Sequence, residues 1–362
     1  MKETVVVGMS GGVDSSVCAY LLKEQGYNVI GVTMQIWRPE NACDVSDNGG
    51  CCGLSAVDDA RRVADVLDIP YYVMDFREEF QKSVIDHFAA QYVKGRTPNP
   101  CIECNRHVKW EALLRKARDI GADYLATGHY ARITHLENGR YSISASKTAA
   151  KDQTYALYAL TQDQLAHTIL PIGEYEKSEV RRIAEDAGLP VAHKKDSQEI
   201  CFVPDGDYAA FLEKEPGLDV PGSGDFVTPD GTFIAKHKGI THYTVGQRRG
   251  LGVAAGERIY VTNIDPVTDR VTLGSDDDLL TSVVTGDDVC WMGLAGINPG
   301  EKVPVKAKIR YNHSGEYGVL ESASDGRIRV TFNIPVRAAA PGQALVFYDG
   351  EGRYVLGGAT IV

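Results

Sequence analysis

The stretch TPNPCIECNRHVKW, residues 97–110, sets two cysteines, Cys101 and Cys104, three positions apart behind a Pro-Asn-Pro turn. That spacing suits a metal site, a dithiol couple or a nucleophilic thiol, and does not choose among them. A third isolated cysteine, Cys201, lies in the polar turn Asp196-Ser197-Gln198-Glu199-Ile200-Cys201-Phe202. Taken alone, it reads equally well as a small half-buried apolar residue. A different chemistry is written at the start of the chain, where a valine run enters Gly8-Met9-Ser10-Gly11-Gly12-Val13-Asp14-Ser15-Ser16. Glycines let backbone N–H groups turn inward, and the helix expected next adds partial positive charge, so the stretch makes an anion cradle. The Gly-Lys-Ser ending of a Walker A loop is missing, and no lysine stands in the loop to clamp a γ-phosphate. Such a nest, with the hydroxyls of Ser10, Ser15 and Ser16, suits a pyrophosphate that leaves whole. Asp14 suits orienting the loop or holding Mg²⁺ beside the phosphates.

The elements around these residues alternate. Strands are expected at Val5–Gly8, Asn28–Met34, Tyr71–Asp75 and Tyr124–Gly128. Helices are expected at Ser15–Gln25, Ser55–Leu67 (capped by Ser55), Phe80–Val93 and Val108–Ile120. The cysteines of residues 97–110 then fall in a loop ahead of the last helix. This alternation implies βαβ units and a parallel sheet covered on both faces, with ligands at the carboxyl ends of its strands. Beyond about Asp205 the pattern becomes short alternating strands broken by Gly, Pro and Asp: Phe226–Thr228, Thr232–Ala235, Ile259–Ile264 and Arg270–Leu273. An acidic stretch, Gly274 to Asp278, marks a boundary, and Lys306–Tyr311, Ile328–Phe332 and Ala344–Tyr348 read as strands of a small barrel. The expected class is α/β: a Rossmann-like parallel sheet in residues 1–205, a β-rich domain in 206–280 and a β-barrel in 281–362. Residues Arg38–Gly53, holding Cys43, Cys51 and Cys52, read as an irregular, mobile loop.

Composition narrows the class further. The 362 residues carry a net charge of −11, which argues against a uniformly basic nucleic-acid binder. The charge is uneven, however, with basic clusters at Lys194-Lys195, Lys236-His237-Lys238, Arg248-Arg249 and Lys302 to Arg310; each alone reads as solvated surface. No apolar run has the length of a membrane span, and no signal-peptide pattern begins the chain. Eight cysteines without a secretory leader fit a reducing cytosol, where thiols are chemical or metal-binding more often than structural. Cys18, on the first helix, reads as core.

The Ser-Gly-Gly-Val-Asp-Ser string after a first strand closely resembles the loop of the ATP-pyrophosphatases (PP-loop enzymes), which adenylate a substrate and expel pyrophosphate. The resemblance tightens along the chain. Asn99-Pro100 with Cys104-Asn105, Gly128-His129-Tyr130, Lys151-Asp152-Gln153 and Asp196 to Cys201-Phe202 are similar to motifs of the bacterial tRNA 2-thiouridylases. So are His237-Lys238-Gly239, Tyr243 to Arg248, Arg310-Tyr311 and Gln343. The match is collinear and runs nearly end to end.

What the resemblance implies is specific. ATP, with Mg²⁺, adenylates O2 of the wobble uridine in a tRNA anticodon. Sulfur arrives on Cys201 as a persulfide, from a sulfur-carrier relay or a cysteine-desulfurase-derived donor. Cys104 acts as the catalytic thiol, freeing hydrosulfide or closing a disulfide with Cys201. ATP contacts are implied at Gly8, Met9, Ser10, Gly11, Gly12, Val13, Asp14, Ser15, Met34 and Gly128. The target base falls to Asn99, Pro100 and Cys101, and other tRNA contacts to His129, Lys151, Asp152, Gln153, Arg310, Tyr311 and Gln343. Some members carry Asp at the position of Cys101. Cysteine there leaves open a [4Fe–4S] cluster on Cys101, Cys104 and Cys201, or zinc with His107 or a cysteine of the Arg38–Gly53 loop as a further ligand. Two other functions stay in view: thiolation of another base such as cytidine, and a non-enzymatic metal-binding tRNA module. A cytoplasmic monomer without membrane attachment is expected.

Overall fold

The computed structural model describes residues 2–36, 54–196, 200–203, 205–253, 256, 258–323 and 325–362. The stretch expected as a mobile loop, with Cys43, Cys51 and Cys52, lies outside them. The chain divides into two compact units, residues 1–84 with 101–206, and residues 85–100 with 207–362.

The first unit is built on five parallel strands: β1 (Thr4–Gly8), β2 (Asn28–Gln35), β3 (Tyr71–Asp75), β4 (Tyr124–Thr127) and β7 (Thr168–Ile169). Their spatial order is β3-β2-β1-β4-β7. An antiparallel hairpin of β5 (Ala131–His135) and β6 (Tyr141–Ala145) stands beside the sheet. Val5, Val6 and Val7 have no exposed surface, because β1 is central and covered on both faces. The helix α1 (Val13–Glu24) buries Val13, Val17, Leu21 and Leu22. The next, α2 (Leu54–Val66), buries Ala56, Ala60, Val63 and Ala64, the spacing of one helical face. Chain order runs from β1 outward to β3, then crosses back to β4 on the other side of β1. A crevice therefore opens beyond the carboxyl ends of β1 and β4, where α/β sheets take their ligands.

Residues 97–110 do not fold as the spacing suggested. Helix begins at Pro100, runs to Glu103, continues as a π-helix over Cys104–Leu113 and ends as α-helix at Asp119. Both cysteines thus sit on a helix rather than in a loop ahead of one. Proline is at home at the first helical position, where its missing N–H is not needed. The π-turn widens the helix so that residues five apart, such as Cys104 and Lys109, fall near one another in projection; such turns are frequent at functional sites.

In the second unit, β8 (Asp225–Val227), β9 (Phe233–Lys236), β10 (Tyr260–Asp265) and β11 (Arg270–Gly274) form a sheet in the order β10-β11-β8-β9. It packs on Phe226, Ile240, Tyr243, Leu251, Val261 and Val271. The remaining six strands, β12 (Leu280–Trp291), β13 (Lys302–Lys308), β14 (Glu316–Ser322), β15 (Ile328–Arg337), β16 (Ala344–Tyr348) and β17 (Val355–Ile361), close a barrel. Closure fits β17 because Gly357 lets it approach closely: a Cβ there would stand 2.5 Å from the Cys290 carbonyl oxygen. The α/β sheet and the closed final barrel agree with the fold class expected from the sequence.

Candidate active site

The glycine loop leaves the carboxyl end of β1 and enters α1 as the sequence implied. Its serines divide the work. Ser15 Oγ accepts from the Ser10 backbone N–H at 3.1 Å and lies 3.2 Å from Ser10 Oγ, bracing the turn. Ser16 is fully buried, and its hydroxyl donates back to the Gly12 carbonyl at 2.8 Å, so it does not face the nest. Gly128, after β4, lies directly against the loop: a Cβ there would be 2.6 Å from the Ser15 nitrogen. Glycine at 128 is therefore a packing requirement of the cradle. Met34 is half-buried near the end of β2.

Asp14 projects from the first turn of α1 into a network of charges. It accepts from the Tyr130 hydroxyl at 2.7 Å and from Lys177 Nζ at 2.8 and 2.9 Å. Lys177 also pairs with Asp196 at 2.8 Å, and Asp196 is further held by Lys151 at 3.0 Å and Arg181 at 3.0 Å. Burial pushes the Asp196 carboxyl up, but the hydrogen bonds from Lys177 and Lys151 outweigh it and leave its pKa below the ordinary carboxylate value. Residue 196 precedes Cys201 by five positions, so one ion cluster links the glycine loop to the start of the Cys201 turn. The loop itself has no lysine, yet the fold supplies two: beside Lys177, Lys194 Nζ donates to the Gly11 carbonyl at 3.0 Å and pairs with Asp59 at 2.7 Å.

The sequence had marked Lys194 only as part of a surface cluster, and had not marked Lys177, Arg181 or Asp59 at all. Nothing local distinguishes them: Lys177 and Lys194 reach a loop more than a hundred residues away, and Arg181 and Asp59 join the cluster through Asp196 and Lys194.

The remaining side chains of this unit that are expected to meet tRNA also support its own fold. Gln153 Oε1 accepts from the Tyr130 backbone N–H at 2.8 Å, and Asp152 accepts from the Thr154 hydroxyl at 2.7 Å. His129 is half-buried, with Nδ1 2.7 Å from Thr127 Oγ1 and its ring 5.4 Å from that of Trp110. Burial first, and then the nearby Lys109 ammonium, hold its pKa well below that of free histidine, so it is neutral at pH 7.

Cys104 is half-buried at the start of the π-helix, whereas Cys101 is exposed. Next to it, Asn105 is buried and spans the helix: its amide donates to the Ala156 carbonyl at 2.9 Å and its oxygen accepts from Lys109 at 2.9 Å. At the far end of the π-helix, Leu113 approaches to 3.8 Å of where a Cβ on Gly8 would stand. Cys201 is half-buried as well, and the following Phe202 packs edge-on against Phe80 with ring centroids 5.9 Å apart. Phe80 ends the short helix Arg77–Phe80, which packs against the π-helix. The Cys201 turn and the π-helix that begins at Cys104 thus both meet the helix Arg77–Phe80. Cys18 is fully buried, with its thiol pKa pushed up by burial.

Among the described residues, no three His, Cys, Asp or Glu side chains are grouped as metal ligands. Cys101, Cys104 and Cys201 therefore do not stand as a preformed iron–sulfur or zinc set. His107 is instead bracketed by Glu111 at 2.8 Å and Glu103 at 3.5 Å, and the Glu103 hydrogen bond raises its pKa. Asp14 offers one carboxylate. Magnesium that travels with a nucleotide needs one or two protein carboxylates, so the residues fit an ion carried in on ATP.

The other residues expected to meet tRNA belong to the second unit. Gln343 Nε2 donates to the Thr97 carbonyl at 2.7 Å, and the Thr97 N–H donates to the Pro341 carbonyl at 2.7 Å. The segment leading to Asn99 and Pro100 is thereby stapled to the loop before β16. Arg310 donates to the Arg337 carbonyl at 2.7 Å, and Tyr311, beside it in the turn after β13, is 41% exposed. No helix among the described residues is long and apolar enough to cross a membrane.

Known proteins match the chain along its whole length. Three family models match in succession: a tRNA methyl transferase HUP domain over residues 3–205, a tRNA methyl transferase PRC-barrel domain over 210–275 and an aminomethyltransferase beta-barrel domain over 283–361. The chain is 58% identical over 362 residues to the tRNA-specific 2-thiouridylase MnmA of Lachnoclostridium phytofermentans, covering 100% of both proteins. It is 51% identical to the protein of that name from Acetivibrio thermocellus, covering 99% of each. A solved 4-thiouridine synthetase–RNA complex with bound ATP shares 18% identity at a TM-score of 0.37, over 59% of this chain and 50% of that one. The first two matches extend over the entire chain, whereas the last is too distant to support an argument.

Proposed function

The chain belongs to the tRNA-specific 2-thiouridylase family, and from that premise we propose how its own residues carry out ATP-dependent thiolation of a tRNA uridine. The observation that carries the reading is the glycine cradle at the β1/β4 crevice, with Asp14 and Gly128 built into it, in a chain matched over its whole length by thiolating relatives.

The uridine O2 attacks the α-phosphorus of ATP. The O2–P bond forms, the bond to the bridging β-phosphate oxygen breaks, and pyrophosphate leaves. Gly8 to Ser15 cradle the phosphates through backbone N–H groups, Gly128 allows the loop to close on α1, and Met34 and Gly128 border the nucleotide. Magnesium, when bound with ATP beside Asp14, screens the phosphate charge. AMP on O2 is then a good leaving group at C2. Cys201 carries the incoming sulfur as a persulfide. Cys104, as thiolate, attacks Cys201 Sγ; the Cys104–Cys201 disulfide forms, the terminal sulfur departs as hydrosulfide and adds to C2, and AMP is expelled. In the alternative order, the terminal sulfur adds to C2 first and Cys104 then frees it. Either way one disulfide results, and a dithiol reductant must reopen it before the next turnover.

Asn99, Pro100 and Cys101 take the target base, which is extruded from an anticodon loop at lower cost than from a duplex. His129, Lys151, Asp152, Gln153, Arg310, Tyr311 and Gln343 hold the rest of the tRNA. A sulfur-carrier relay or a persulfide donor loads Cys201. The protein acts as a monomer in the cytoplasm.

Incubating tRNA with ATP, a persulfide donor and the protein is expected to yield AMP, pyrophosphate and 2-thiouridine at the wobble position in equal amounts, by nucleoside mass spectrometry. Thiolated cytidine, or no thiolated base with unaltered tRNA binding, would overturn the assignment.

A further inference from the structure

Phosphate-binding loops of the Walker type carry their own lysine, and this glycine loop does not. The structure nevertheless brings two lysine ammonium groups to it. Lys177 Nζ lies 2.8 and 2.9 Å from the Asp14 carboxylate oxygens, and Lys194 Nζ lies 3.0 Å from the Gly11 carbonyl. Both side chains are largely shielded, 16% and 27% exposed, so neither is an ordinary solvated surface lysine. They reach the loop from different elements, Lys177 from the first turn of the helix Lys177–Asp186 and Lys194 from the turn that follows that helix.

The carboxylates now holding these lysines do not depend on them. Asp59 keeps Arg62 on its other oxygen at 2.5 Å when Lys194 turns away. Asp196 keeps Lys151 and Arg181, and Asp14 keeps the Tyr130 hydroxyl. Removing one partner of a buried charge is costly when the other is left bare. Here neither lysine leaves a bare carboxylate behind, so each can swing to a new anion cheaply.

We infer that Lys177 and Lys194 are phosphate-binding residues that supply the cations missing from the glycine loop, meeting the β- and γ-phosphates of ATP and the pyrophosphate formed from them. This rests on the adenylation proposed above. The negative charge that builds on the leaving pyrophosphate as the α-phosphorus is attacked is where a positioned ammonium lowers the barrier most. Because Lys177 releases Asp196 when it turns to a phosphate, it also ties the state of the phosphates to the segment that leads into Cys201.

The test is the affinity of MgATP, AMP and inorganic pyrophosphate, by calorimetry, for the wild-type protein and the Lys177→Gln and Lys194→Gln variants. Loss of a charged hydrogen bond to phosphate is expected to weaken MgATP and pyrophosphate by about tenfold or more. AMP binding is expected to stay within about twofold, since AMP lacks the phosphates concerned. Lys177→Arg and Lys194→Arg should recover part of the lost affinity. A merely structural role would weaken AMP and ATP alike. An unchanged ratio of ATP to AMP affinity in both variants overturns the inference. If Lys177→Gln does not fold, the Lys194→Gln ratio and the Lys177→Arg protein decide the outcome. Failure of the functional reading is separately visible, because wild-type protein would then release no pyrophosphate with tRNA present.

Discussion

The glycine loop and the Cys201 turn share one unit and one ion cluster, but they are held in place differently. The loop is fixed by backbone: Ser10 and Ser15 brace it, Ser16 ties it to α1, and Gly128 fits against it with no room for a side chain. Around the Cys201 turn the ties are made by side chains, Asp196 among three cations on one side and Phe202 against Phe80 on the other. A phosphate cradle gains from rigidity, because N–H groups already aimed at the developing charge need no reorganisation. A thiol proposed to receive sulfur from a donor, present it and then meet Cys104 gains from side-chain ties, which can rearrange at lower cost than a braced backbone. Cys104 lies between these extremes, on a helix anchored by the buried Asn105.

This contrast can be broken chemically. The largest effect is expected for Cys201→Ser, which should reduce 2-thiouridine formation at least about a thousandfold while first-turnover pyrophosphate release stays within about threefold. Equal loss of both would show that the turn also shapes the cradle, and the division drawn here would fail. A smaller effect is expected for Gly128→Ala. Its added Cβ, 2.6 Å from the Ser15 nitrogen, must push the loop off α1, lowering ATP affinity by about tenfold while tRNA binding, measured by filter retention, is kept. Wild-type ATP affinity in this variant would show that the loop gives way and is not held rigidly.

The smallest effect concerns His129, at the edge of the cradle. Its folded pKa is lowered by burial and Lys109, so below the ordinary value of about 6.5 the unfolded chain takes up a proton that the folded one refuses. The stability it contributes is thus complete above about pH 6.5 and is lost as the pH falls toward the folded pKa. His129→Gln should flatten the decline of melting temperature between about pH 7.5 and 5.5. Parallel curves for the two proteins would mean that the histidine is hydrated in the folded state.

Much of this was readable in advance, and the reasons are local. Val5 to Val7 is an unbroken apolar run because β1 is buried on both faces, and the glycine loop is a short string whose backbone demands are met by its own residues. The strands at residues 225–236 and 260–274 showed through their alternation. Others did not. The first half of β12 exposes Leu280 and Val283 and buries Val284, so its apolar residues do not alternate as one buried face, and β17 contains Gly357 and Gly358, which lower strand propensity although the barrel needs at least the first of them. The helix through Cys101 and Cys104 was hidden because Pro98 and Pro100 read as a turn, while Pro100 in fact occupies the helix start.

The sequence by itself determined the order of the first elements and the backbone of the glycine loop, since each depends on neighbours along the chain. The tertiary structure alone decided which cations serve the loop. Lys177 and Lys194 stand 163 and 183 residues from the atoms they touch, and a lysine's charge has no periodicity that announces its partner. The pairing arises only when α1, α2 and the helix Lys177–Asp186 have packed, because a carboxylate removed from water must take whatever cation that packing brings within reach.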